Sequence, residues 1–119
     1  SKVRYLRALS EAFDSGPLRN YRFSRRSDAE IIEVLTEVPG VGRWTAEMFL
    51  IFSMHRPDVF AAGDLALRNA IARLDGCARP SPADCTSRAA IWGPWRSLAS
   101  LYLWRIAHWK GPEPGGAGA

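Results

Sequence analysis

The chain has 119 residues, 47% hydrophobic and 24% charged, which is the size and balance of one globular core and excludes a disordered polar segment. Its longest apolar run, residues 48–54, is bracketed by Glu47 and His55-Arg56 and falls far short of the roughly 18 residues of a membrane span. The opening SKVRYLRALSEAF lacks the apolar stretch of a signal peptide, so a soluble, cytoplasmic chain with no membrane partner is expected.

Val3, Leu6, Leu9 and Phe13 lie near one face of a first helix, which Gly16-Pro17 ends. Residues 16–27 read as a basic connector, because residues 1–27 carry seven cations against two acids while residues 28–119 carry nine against ten. Fourteen of the sixteen cations are Arg, whose planar fork pairs with phosphate. A polyanionic partner and a mere bias of base composition both account for that excess.

Ser27 and Glu30 form a capping box, and Ile31, Val34, Leu35 and Val38 follow at i, i+3, i+4 and i+7, which predicts an amphipathic helix. Pro39-Gly40-Val41-Gly42 cannot continue it. From Arg43 the run WTAEMFLIFSM is apolar on nearly every side, as in a buried helix, giving a helical hairpin over 28–54. Residues 55–63 form a loop, and Asp64 precedes LALRNAIARL, in which Leu67, Ala70, Ile71 and Leu74 recur at helical spacing until Gly76. Ser81-Pro82 starts a helix that reaches Trp92, and Gly93-Pro94 breaks it. A last helix covers about residues 95–109, and the Gly/Pro tail 111–119 is expected to be disordered. The fold class is therefore all-α, a helical bundle in one domain over 1–110.

Gly40 and Gly42 lack Cβ atoms, so both can take positive φ and let another backbone approach. The turn amides at the start of the helix from Arg43 would face outward, where the helix dipole favours an anion such as a DNA phosphate. An ordinary tight turn accounts for the same residues. By spacing alone, Asp64 is an N-cap. Cys77 and Cys85 show no CxxC pattern and no nearby His, so no metal site is expected, and a disulfide is disfavoured in a reducing compartment.

Three stretches in order resemble one family. Leu35-Thr36-Glu37-Val38-Pro39-Gly40-Val41-Gly42-Arg43-Trp44-Thr45-Ala46 is similar to the hairpin of the helix-hairpin-helix (HhH-GPD) base-excision DNA glycosylases. Val59-Phe60-Ala61-Ala62-Gly63-Asp64-Leu65-Ala66-Leu67-Arg68 resembles the region of that family's catalytic aspartate. Trp92-Gly93-Pro94-Trp95-Arg96-Ser97, continuing to Leu103-Trp104, resembles its C-terminal signature. The alkylpurine branch, DNA-3-methyladenine glycosylase II, is the nearest in pattern.

The resemblance implies the later half of the glycosylase fold and a monofunctional N-glycosylase that hydrolyses the glycosidic bond of alkylated purines in double-stranded DNA. In that reading Asp64 is the catalytic carboxylate, and Trp44 and Trp104 form the base pocket, where indole faces attract a cationic base. Pro39, Gly40, Val41, Gly42, Arg43, Thr45 and Arg96 contact phosphate, although Arg96 can equally brace the core. Trp44 stands where lyase members carry a lysine, so no Schiff-base step is implied. The four cysteines of the iron–sulfur branch are missing. No small-molecule cofactor is implied, although a monovalent cation at the hairpin is compatible with the family. Trp92, Trp95 and Trp109 are expected in the core, and His55 and His108 at the surface or at helix ends.

The resemblance begins after the family's N-terminal helices, so an excised or shortened protein is expected, with an exposed apolar helix over 44–54 and self-association through the uncovered surface. A non-catalytic DNA-binding fragment and a helical protein-interaction domain are the alternatives. Abundant Arg, Ala and Gly suggest a bacterial source, with a nucleoid-associated location.

Overall fold

In the computed structural model the described residues are Glu11, Phe13, Leu18 and 21–111. Among these, all regular elements are helical: a 3₁₀ turn at Phe23–Arg25, α1 at Asp28–Thr36, α2 at Arg43–Met48, α3 at Leu65–Asp75, α4 at Pro82–Ala89 and α5 at Arg96–Ala107. Most of the expected first helix and nearly all of the tail lie outside the described residues. Contacts gather into two compact units, Ser1–His55 and Arg56–Ala119.

In the first unit, the Ser27 hydroxyl accepts the Glu30 amide at 3.2 Å and the Glu30 carboxylate accepts the Ser27 amide at 3.3 Å, which closes the capping box of α1. That bond to the Ser27 amide, with the one to its hydroxyl, lowers the Glu30 carboxyl below its ordinary range. Ile31 and Leu35 are fully buried where α1 packs on α2. Removing either side chain to Ala would cost about 2–5 kcal/mol.

The second arm of the hairpin departs from the expectation of burial on nearly every side. Trp44 and Phe52 are 43% and 54% exposed, whereas Glu47, the charged residue of the run, is buried. The helix lies at the surface and buries a stripe of Ala46, Glu47, Leu50 and Ile51, as helical periodicity requires of a helix with one solvent face. Arg43 approaches the Glu47 carboxylate at 3.4 Å. After Met48 the helix widens into a π turn at Phe49–Ser53, with the Met54 amide bonded to the Phe49 carbonyl at 3.1 Å. Leu50 and Ile51 remain buried side by side while Phe52 and Ser53 face solvent.

In the second unit, α3 and α5 pack extensively, burying Leu67, Ala70 and Ile71 on one side and Ser100 and Leu103 on the other. Gly76 ends α3 in the left-handed conformation, φ 64°. Ser81 caps α4 through the Asp84 amide, with Pro82 in its first turn. Arg88 makes two bonds to Asp75, at 2.8 and 3.0 Å, and its guanidinium lies 4.7 Å over the Trp92 ring. Cys77 is exposed and Cys85 buried, both free, and burial pushes the Cys85 thiol above its ordinary range.

Candidate functional site

Asp64 is the N-cap of α3, and its carboxylate is held twice. Oδ2 accepts the Leu67 amide at 3.0 Å and the indole N–H of Trp104 at 3.0 Å. The first bond is local, three residues along the chain. The second crosses 40 residues, from the middle of α5. Two donors on one oxygen fix the rotation of the carboxylate about its Cβ–Cγ bond. The amide-rich start of α3 adds a positive field to the same end. A half-buried, rotationally fixed anion is thus built at this helix start. Such a group can stabilise a developing cation and orient a water molecule.

The strand of chain that delivers Asp64 is itself clamped by the start of α5. The Ser97 amide donates to the Pro57 carbonyl at 2.9 Å, its hydroxyl donates to the Arg56 carbonyl, and that hydroxyl accepts the Val59 amide at 2.9 Å. The Ser100 hydroxyl donates to the Arg96 carbonyl at 2.8 Å. Sequence reasoning missed both serines, because the partners of the Ser97 hydroxyl lie 38 and 41 positions away and the Val59 carbonyl, 3.4 Å from the Ser100 hydroxyl, lies 41 away. The signal available was two hydroxyls one turn apart, Ser97 and Ser100, on the face of α5 that also carries Leu103.

The Pro39-Gly40-Val41-Gly42 turn is built by the Val38 amide on Leu35 and the Val41 amide on Val38, at 3.1 and 3.0 Å. Of the two glycines expected to use positive φ, only Gly40 does, at 86°. Gly42 is extended, φ −93° and ψ 177°, because it is the N-cap of α2, a position that needs extended backbone. Its value lies in what it omits. No side chain caps the first turn of α2, and a Cβ at Gly42 would meet nothing within 4 Å, so the approach to these amides is open.

The remaining expected residues divide. Trp44, on the first turn of α2, belongs to the first unit, and Trp104 to the second. Thr45 is half-buried and Arg43 exposed. Arg96 lies 3.5 Å from Asp58 through Nε, and its amide donates to the same carboxylate at 3.2 Å. A Cβ at Gly93 would come within 2.9 Å of its guanidinium, so Gly93 is the residue that admits it. The bracing role weighed for Arg96 is the one visible in this geometry. Two tryptophans expected in the core are not there: Trp95 is 61% and Trp109 52% exposed, because they occupy the ends of α5 rather than its packed middle. Trp92 is half-buried against Phe60 and Arg88. His55 and His108 are exposed, with His108 capping the end of α5.

Among the described residues no group of three His, Cys, Asp or Glu side chains is placed to hold a metal ion, and no helix is long and apolar enough to cross a membrane.

No family model matches the chain. Individual proteins do. It is 39% identical to "DNA-3-methyladenine glycosylase 1" of Schizosaccharomyces pombe over 108 residues, covering 89% of this chain and 47% of that protein. It is 33% identical to "DNA-3-methyladenine glycosylase 2" of Escherichia coli over 84 residues, covering 71% and 28%. The solved structure of the S. pombe 3-methyladenine DNA glycosylase in complex with abasic DNA superposes with a TM-score of 0.78 at 38% identity, covering 91% of this chain and 53% of that one. A DNA-3-methyladenine glycosidase from Bacillus halodurans gives 0.73 at 34%, covering 89% and 49%. The chain thus spans about half the length, or less, of the relatives it matches.

Proposed function

Because the chain belongs to the helix-hairpin-helix superfamily of base-excision DNA glycosylases, we propose that it carries the DNA-anchoring hairpin and the catalytic carboxylate of a monofunctional N-glycosylase acting on alkylated purines in duplex DNA. The observation that carries this reading is the double anchoring of Asp64 Oδ2 by Leu67 and Trp104.

The chemistry follows from charge. A purine alkylated on a ring nitrogen is already cationic, so breaking its bond to C1′ sends the electron pair to the base, which leaves neutral without a general acid. Positive charge then appears on the sugar as an oxocarbenium ion. A fixed carboxylate stabilises that ion more than the ground state, because the charge it faces grows along the reaction. Water adds to C1′, and its proton passes to the carboxylate or to solvent, leaving an abasic site. The target base must leave the stack first, and the electron-rich face of Trp104, whose indole N–H is bonded to Asp64, would favour a cationic one by about 0.5–2 kcal/mol. The uncapped start of α2 would receive a backbone phosphate and position the duplex without reading its sequence.

The test is release of free 3-methyladenine or 7-methylguanine from methylated duplex DNA by this chain and by its Asp64→Asn variant. Release that disappears with the charge supports the assignment, and full activity of the variant overturns it. One observation favours a second reading. The hairpin and Asp64 fall in different compact units, so the hairpin unit can hold DNA where chemistry is lacking. Duplex binding with no base release from the unsubstituted chain would select that reading.

A further inference from the structure

The basic connector contains a feature that hairpin and carboxylate leave unused. Arg22, Arg25 and Arg26 surround Tyr21 and with it line a cavity of about 440 Å³. The turn that presents them is well held. Leu18 is buried and its carbonyl accepts the Tyr21 amide at 3.2 Å, the Arg25 amide donates to the Arg22 carbonyl at 3.1 Å, and the Phe23 ring sits 5.7 Å from that of Phe49 on the hairpin's second arm. The edge of Phe23 also meets Tyr21 at 4.7 Å.

Arg22, the N-cap of the turn Phe23–Arg25, has non-helical backbone, and its side chain and that of Arg25 share the lining of that cavity. The third arginine is used internally: Arg26 lies 3.4 Å from Glu30 and 5.3 Å over the Tyr21 ring. Arg22 and Arg25 are exposed, and among the described residues neither is in an ion pair. Two adjacent unneutralised guanidinium groups on a held turn repel one another, a cost that a shared anion removes.

We propose that Arg22 and Arg25 form a second phosphate clamp, which grips the duplex backbone apart from the hairpin. A nucleic-acid phosphate is favoured over a small free anion because the clamp shares one compact unit with the hairpin, so a polyanion can engage both at once and gain from the high effective concentration. The clamp rests on the DNA-binding part of the proposed function and does not depend on Asp64.

The experiment is fluorescence anisotropy of a labelled, undamaged duplex with the full chain, from about 50 to 300 mM salt. Arg22→Ala/Arg25→Ala is compared with a charge-matched control, Arg79→Ala/Arg105→Ala, which alters exposed arginines of the other unit. Thermal melting checks that each variant folds. The clamp variant is expected to bind about tenfold more weakly and to reduce the slope of log K against log salt by about 0.9 for each phosphate released. The control should keep most of the original slope, and Arg22→Lys/Arg25→Lys should restore it, since charge survives without the fork. If the unsubstituted chain binds duplex but clamp and control variants share one slope, the clamp is overturned and the hairpin reading stands. If the unsubstituted chain does not bind duplex at the lowest salt, the DNA-binding reading falls and the clamp with it.

Discussion

Two helix starts in this chain use one physical effect in opposite ways. Helix α3 begins with Asp64, whose own carboxylate occupies the positive end of the helix. Helix α2 begins with Gly42, which offers no side chain and leaves that end open. The same field therefore fixes an internal anion at one site and is free to receive an external one at the other. On the proposed function, the difference of one carboxylate separates a group placed for chemistry from a surface placed for binding.

The largest test of that contrast removes the internal anion. Asp64→Asn keeps shape and capping ability, so folding and duplex affinity should persist while base release falls by about 10²–10³, measured as single-turnover release from methylated DNA. The reverse experiment supplies an anion to α2. Gly42→Asp meets no steric obstacle and places a carboxylate where phosphate would bind. Its stability, followed by thermal melting, should hold or rise by a few tenths of a kcal/mol, while duplex affinity by anisotropy drops about tenfold. A third change separates the anion from its distant donor. Trp104→Phe deletes the indole N–H, and release should fall about tenfold with duplex affinity unchanged, because the Leu67 amide still holds the carboxylate but no longer fixes it from two sides.

The smallest effect concerns a pair outside both helix starts. The Arg88 hydrogen bonds hold the Asp75 carboxyl below its ordinary range, so the pair's contribution is present at neutral pH and is lost as pH falls through that depressed value. Asp75→Asn should lower stability by up to about 1 kcal/mol at pH 7, and urea titrations should show the gap from the parent chain closing as the pH is taken below the ordinary carboxylate range.

What the sequence revealed was largely what is local. The Ser27–Glu30 box, the Asp64 cap, the Ser81-Pro82 start and the Gly76 stop each involve partners within about four positions, and each has the expected geometry. The family pattern also pointed to Asp64 and Trp104 separately. Their hydrogen bond was not legible, because nothing at either position encodes a partner 40 residues away. The Ser97 clamp was hidden for the same reason. Composition misled in the second hairpin arm, where a run apolar on nearly every side read as a buried helix although Trp44 and Phe52 are exposed and the charged Glu47 is buried. Glycine identity also left two uses undistinguished: Gly40 supplies positive φ, and Gly42 supplies the lack of a side chain.

The bond from Trp104 to Asp64 has a consequence in time as well as in space. An aim that depends on a donor 40 residues downstream cannot be correct until α5 has docked on α3, whereas the hairpin turn closes over a handful of neighbours. On the proposed function, a newly made or locally opened chain can hold DNA before it can cut a glycosidic bond. The order of assembly then acts as a safeguard, keeping the carboxylate unaimed in any copy whose second unit is not yet complete.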